Sequence, residues 1–97
     1  MFARVVTIQF QPGKIDEASR IVKDSIVPVM KEQKGFKQQI LLTQKDTGKA
    51  VSINLWEAEV DLVAFETSSI YKELLGKIAG FLAGPPVGEQ FEVSVQG

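Results

Sequence analysis

The stretch SINLWEAEVDLVAFETSSIYKEL, residues 52–74, decides how the 97-residue chain is read. An alternating run ends in the only tryptophan, Trp56, with acidic Glu57 and Glu59 close behind. Apolar residues then recur every three or four positions. Period-two alternation marks a half-buried strand, and the longer spacing marks an amphipathic helix. Residues 52–74 are a strand-to-helix junction, with Trp56 where one layer passes into the next.

Upstream of the junction, residues 36–44 and 49–56 are two β runs joined by KDTG at 45–48. Asp and Gly stand there where a hairpin turn needs them. Between Lys14 and Gln33, Ile15, Ala18, Ile21, Val22, Ile26 and Met30 form a helical stripe. Pro28 predicts an interruption near Asp24–Val27, because proline removes a helical N–H and clashes with the preceding turn. Gly35 is a natural stop. The first run, residues 2–11, places Phe2, Val6, Ile8 and Phe10 on one face, and Pro12-Gly13 ends it. Downstream, helical segments are expected over 59–68 and 70–82, Gly84-Pro85-Pro86 ends the second, and 90–95 alternates again. The order β-α-β-β-α-β predicts a single ferredoxin-like α+β domain over residues 1–97, its four-stranded antiparallel sheet covered by helices on one face.

Parity then divides the sheet. Val6, Ile8 and Phe10 are expected under the helices, together with Ile40, Leu42, Val51, Ile53, Leu55, Phe91, Val93 and Val95. The opposite face is expected to carry Val5, Thr7, Gln9, Gln39, Leu41, Thr43, Asn54, Trp56, Glu92 and Ser94. A mixed face of that kind suits a second copy of the chain as its cover.

Composition removes several chemistries. There is no cysteine, so disulfides, thiolate catalysis and sulfur-ligated metals are excluded. There is no histidine, which removes the commonest general base and imidazole metal ligand. The formal charge is −1, with lysines and arginines scattered, so neither a nucleic-acid nor a membrane partner is expected. No apolar run reaches the length of a membrane span, and the N-terminus alternates like a strand, not a signal peptide. A soluble cytoplasmic protein is the expectation.

The junction NLWEAEVDLVAFETSSIYKEL (54–74), and MKEQKGFKQ (30–38) leading from the proline-bearing helix into the second strand, resemble the antibiotic-biosynthesis-monooxygenase (ABM) family. The resemblance extends over nearly the whole chain. It implies a dimeric α+β barrel, in which two open sheet faces pair to make a homodimer. It also implies a cofactor-independent monooxygenase acting on a phenolic or quinol-like compound. The alternative it leaves is a non-catalytic dimeric module that binds a small aromatic or apolar ligand, or another protein. In the haem-degrading branch of this family an Asn, a Trp and a His line the haem pocket. The matching positions here are Val6, Phe65 and Leu75, all apolar, so haem is excluded.

Against that background the candidate site residues are Arg4, Asn54, Trp56 and Tyr71. Val6, Ile8, Ile53, Phe65 and Leu75 are expected to line the pocket. No metal and no cofactor are expected. Each polar candidate has two readings. Trp56 is an anchor at the subunit interface, or it touches substrate. Arg4 snorkels to solvent or pairs with an acidic residue, or it fixes an anionic or phenolate oxygen at the pocket mouth. Asn54 bonds across the interface or takes part in the chemistry, and Tyr71 packs over the sheet edge or donates a proton.

Overall fold

In the computed structural model, which describes residues 1–97, the strands are β1 (Phe2–Gln9), β2 (Phe36–Gln44), β3 (Lys49–Trp56) and β4 (Val87–Glu92). They form one antiparallel sheet in the order β2-β3-β1-β4. Helices α1 (Ile15–Ile21) and α2 (Val27–Met30) join β1 to β2, and α3 (Glu59–Glu66) and α4 (Ser69–Ile78) join β3 to β4. All of them lie over one face. This is the ferredoxin-like α+β arrangement that the element order predicts. No helix is long and apolar enough to cross a membrane.

Local chemistry explains the boundaries. Between α1 and α2 the chain widens into a π-helical turn, Val22–Ile26, immediately before Pro28. Proline cannot donate to the carbonyl four residues back, and its ring crowds that group, so the turn expands to relieve both. Lys77 on α4 donates to the Ser25 carbonyl at 3.2 Å, capping an oxygen inside the widened turn. Ser68 ends α3 and starts α4: its hydroxyl donates to the Phe65 carbonyl at 2.6 Å and accepts from the Tyr71 N–H at 3.2 Å. In the hairpin turn Gly48 has φ +77°, and a Cβ there would lie 2.7 Å from the Phe10 carbonyl oxygen. Only glycine fits. The last strand begins at Val87, directly after Pro85-Pro86, three residues earlier than its alternation suggests.

The sheet face under the helices is not the one that parity alone indicates. Directly opposed residues of antiparallel strands share a face, and the register opposes Phe2 to Trp56, Arg4 to Asn54 and Val6 to Ser52. Asn54 and Trp56 therefore lie under the helices with Val6 and Ile8, as do Gln39, Leu41 and Thr43 of β2. Ile40, Leu42, Val51, Ile53 and Leu55 lie on the open face, and Phe91 joins them opposite Ala3. Glu92, expected on the open face, is opposite Phe2 and on the helix side. Val93, Ser94 and Val95 follow the last strand. The pairings within the hairpin match expectation. The hairpin as a unit is turned over relative to β1.

Two apolar clusters follow from this arrangement. The larger gathers Trp56, Leu62, Phe65, Leu74, Ile78 and Met30 between α3, α4 and the end of β3. The smaller gathers Val6, Ile8, Phe10, Ile15, Ala18 and Ala50 beneath α1. The open face keeps large apolar groups in solvent, with Leu42 51% and Phe91 49% exposed.

Candidate functional site

A cleft of about 70 Å³ opens between the helices and the sheet, at the seam where the two clusters meet. Its walls are mostly apolar: Val6 and Ile8 from β1, Val22 and Ile26 from the π turn, and Phe65 and Leu75 from the second helical region. The π turn thus sets which side chains line that wall. Ile53 does not line the cleft, because it faces the other side of the sheet; the expectation that placed it on the floor is corrected here.

Into this apolar setting the register brings one polar row. Gln39 on β2 stands opposite Asn54 on β3, Asn54 opposite Arg4 on β1, and Arg4 opposite Gln90 on β4. One polar rung runs across all four strands, beneath the helices. Parity alone sets Asn54 on the face opposite Val6, and the register instead makes it the neighbour of Arg4 on the helix side.

Arg4 is buried, an unusual place for a guanidinium, and its partners explain how it is tolerated. Its Nε donates to Glu66 Oε2 at 3.2 Å, and its Nη2 donates to the Tyr71 hydroxyl at 2.7 Å. Its Cζ also lies 4.5 Å from the centroid of the Tyr71 ring, within cation–π range. Glu66 is held in turn by the amide of Gln90. Of the two readings of Arg4, pairing with an acid is realised, and the guanidinium still lines the cleft. A Cβ on Gly88 would lie 3.0 Å from Arg4 Nη2, so the edge strand carries glycine where the guanidinium rests.

Trp56 is fully buried, not spread on the open face, and the interface-anchor reading is corrected accordingly. Its ring stacks on Phe65 with centroids 4.9 Å apart and meets Phe36 edge-on at 5.6 Å. Its indole N–H donates to Asn54 Oδ1 at 2.7 Å. Because an indole nitrogen can only donate, this bond fixes which end of the Asn54 amide is oxygen. The amide N–H groups of Asn54 are then left for the cleft, which Asn54 lines. Trp56 acts on the site through Asn54.

Tyr71 sits on the first turn of α4, set there by the Ser68 cap. Its oxygen accepts from Arg4, so its own proton is free to donate. Its ring meets Phe65 edge-on at 5.5 Å. Three donors from three elements thus converge on one side of the cleft: the guanidinium of Arg4, the amide of Asn54 and the phenol of Tyr71. Such a set is suited to a negatively charged oxygen in an apolar pocket.

Two further residues, Gln39 and Ser52, line the cleft and are not among the candidates expected from sequence. Gln39 Nε2 donates to Ser52 Oγ at 2.7 Å and to the Ile40 carbonyl at 3.3 Å. Gln39 Oε1 is buried with no hydrogen-bond partner. The signal for them lay in the alternation of β2 and β3, which places polar residues among apolar ones on the same face as Val6.

Comparison with known proteins agrees with this fold. Residues 1–76 match the model of the family described as antibiotic biosynthesis monooxygenase. Among solved structures, the chain is similar to the ActVA-Orf6 monooxygenase of Streptomyces coelicolor, solved in complex with nanaomycin D. Identity is 21%, 98% of this chain and 88% of that one are covered, and the TM-score is 0.83. It is also similar to a protein of unknown function from Nitrosomonas europaea, at 19% identity, with 99% and 91% coverage and a TM-score of 0.80. Rv0793 of Mycobacterium tuberculosis superposes at 15% identity, with 98% and 96% coverage and a TM-score of 0.75. At these identities the structural matches establish the fold, and the family match spans most of the sequence: the chain belongs to the antibiotic biosynthesis monooxygenase family.

Proposed function

We propose that the cleft binds a phenolic or quinol-like compound and that the protein is a small cofactor-independent monooxygenase acting on it. The observation that carries this reading is the convergence of Arg4, Asn54 and Tyr71 on an otherwise apolar cleft. A phenol must be ionised before its ring can reduce dioxygen, and the resulting anion must be held. Arg4 supplies the charge that favours phenolate. The Asn54 amide and the Tyr71 hydroxyl supply hydrogen bonds to the same oxygen. Without an imidazole, no strong base stands beside that oxygen, so the hydroxyl proton passes to water at the open mouth.

With the phenolate held, a hydrogen-bearing ring carbon ortho or para to the oxygen donates to dioxygen and a C–O bond forms. Loss of that carbon's proton and cleavage of the O–O bond leave a quinone carbonyl and one water. The balance is one phenol plus one dioxygen to one quinone plus one water, with all four electrons that reduce dioxygen coming from the substrate ring. The apolar walls from Phe65 and Leu75 keep the anion dry, which strengthens the bonds that hold it.

The same reading includes a homodimer through the open sheet face. On the open face Ile40, Leu42 and Phe91 are exposed and Val5, Ile53 and Leu55 are half-buried beside them, and a second copy is a self-complementary cover for that apolar surface.

A second reading is a dimeric ligand-binding module without catalysis. What favours it is size: about 70 Å³ is less than the roughly 150 Å³ that admits benzene, so even one ring requires α4 to yield. An oxygen electrode separates the two. Uptake with a quinol in a panel of mono- and dihydroxylated aromatics, lost in Tyr71→Phe, supports the monooxygenase. No uptake with any of them, while one still binds, supports the module.

A further inference from the structure

The polar row continues past Asn54 to a pair that the phenolate site does not use. Ser52 lines the cleft on β3, beside Asn54 on the same face, and Gln39 lines it from β2. The Gln39 amide nitrogen is shared between Ser52 Oγ at 2.7 Å and the Ile40 carbonyl at 3.3 Å. Both neighbours accept there, and a carbonyl can do nothing else. Turned over, the amide would set Oε1 against the Ile40 carbonyl oxygen, which can only accept, so that contact places the nitrogen on the Ile40 side. Oε1 is left buried without a donor. A buried acceptor in that state is uncommon in folded proteins and calls for an explanation.

Resting on the phenolic reading above, we infer that Gln39 and Ser52 form a second polar subsite, which receives a hydroxyl group at the far end of the ligand. The chemistry selects a hydroxyl. Ser52 Oγ accepts from Gln39, so its proton is free to donate, and Gln39 Oε1 is an acceptor in want of a donor. A hydroxyl satisfies both at once, donating to Gln39 and accepting from Ser52. A carbonyl or an ether oxygen can only accept, and leaves Gln39 Oε1 facing a second acceptor. The subsite therefore distinguishes a 1,4-diol from its ether and from the oxidised quinone. The half-buried Gln39 side chain must move slightly to present its buried Oε1 to the cleft.

Three probes test this anaerobically by calorimetric titration: benzene-1,4-diol, 4-methoxyphenol and phenol. All share the end that Arg4, Asn54 and Tyr71 would hold. They differ at the far end, which is a donor, an acceptor only, or nothing. The expected result is that the diol binds on the order of tenfold tighter than 4-methoxyphenol, the scale set by one buried group left unpaired. Gln39→Ala and Ser52→Ala should abolish that preference while leaving the affinity for phenol unchanged. A stability readout runs alongside. The double substitution Gln39→Leu with Ser52→Ala removes the orphaned acceptor together with its neighbour, and should leave the melting temperature equal or higher. If all three probes bind without preference, or the preference survives in Gln39→Ala, the subsite is wrong and the phenolic reading stands. If none of the three binds, both fall.

Discussion

The bond between Trp56 and Asn54 is where fold and site meet, and its removal has a calculable cost. Both residues are buried, at 0% and 3% exposure, and the bond is 2.7 Å long. Trp56→Phe keeps an aromatic ring against Phe65 but deletes the only donor to Asn54 Oδ1. An orphaned buried acceptor costs about 1–3 kcal/mol. The smaller ring also leaves a void, which adds about 1 kcal/mol on the scale of core truncations. Asn54→Leu is the complementary change and strands the indole N–H instead. The double variant removes both ends, so the two losses do not add. The coupling should be about 1–2 kcal/mol, within the range for contacting polar pairs. Urea denaturation of the four proteins measures it, provided that the slope with denaturant is shared. Trp56→Phe should also weaken binding of benzene-1,4-diol roughly tenfold, because the Asn54 amide is no longer oriented toward the cleft. Additive losses, within about 0.3 kcal/mol, would refute the claim that Trp56 acts through Asn54.

Three further outcomes follow from the same geometry. Gly88→Ala places a Cβ against Arg4 Nη2; it should weaken phenol binding by about an order of magnitude while changing stability by less than about 1 kcal/mol, measured by calorimetry and melting. Leu55→Glu, on an interior strand of the open face, should turn a sedimenting dimer into a monomer at micromolar concentration, since a charge there cannot be desolvated without a partner. A wild-type chain that sediments as a monomer would remove the dimer. The Lys37 ammonium, 2.8 Å from the Glu57 carboxylate, bonds it and holds its pKa below the ordinary 4.5. With the folded value depressed, the stabilisation is present above the unfolded pKa and is lost as pH falls through the lowered folded one. Carboxyl NMR titration should show that low midpoint, returning to the ordinary value in Lys37→Met and drifting toward it at high salt.

The order of elements was legible because each has its own signature. The hairpin turn is written in KDTG, the helix starts lie where acidic residues precede an apolar stripe, and Pro28 announces the irregular turn before it. The sign of the sheet was not legible. Both faces of β2 and β3 are apolar enough to be a core: Val51, Ile53 and Leu55 on one, Ala50 and Trp56 with Leu41 on the other. Hydrophobicity alone favours the first set for the helix side. The protein places it on the open face and keeps polar Gln39, Ser52 and Asn54 beneath the helices. A site needs polar groups inside, and an open face covered by a second copy, as proposed, has no need of them. Local pattern carries no information about that exchange. Arg4 was the available clue, since its register partner had to be a residue that could share a buried polar environment. Gln39 and Ser52 went unnoticed for the same reason, being ordinary polar residues of an expected surface.

The central claim is that ligand chemistry occurs in the cleft between helices and sheet, at Arg4, Asn54 and Tyr71. An anaerobic amide NMR titration with benzene-1,4-diol tests it most directly. The prediction is that saturable shifts centre on the side-chain amide of Asn54, the indole N–H of Trp56 and the backbone of Tyr71, and that they vanish in Arg4→Met. Shifts confined to Ile53, Leu55 and Phe91 on the open face, or shifts unchanged in Arg4→Met, would contradict it.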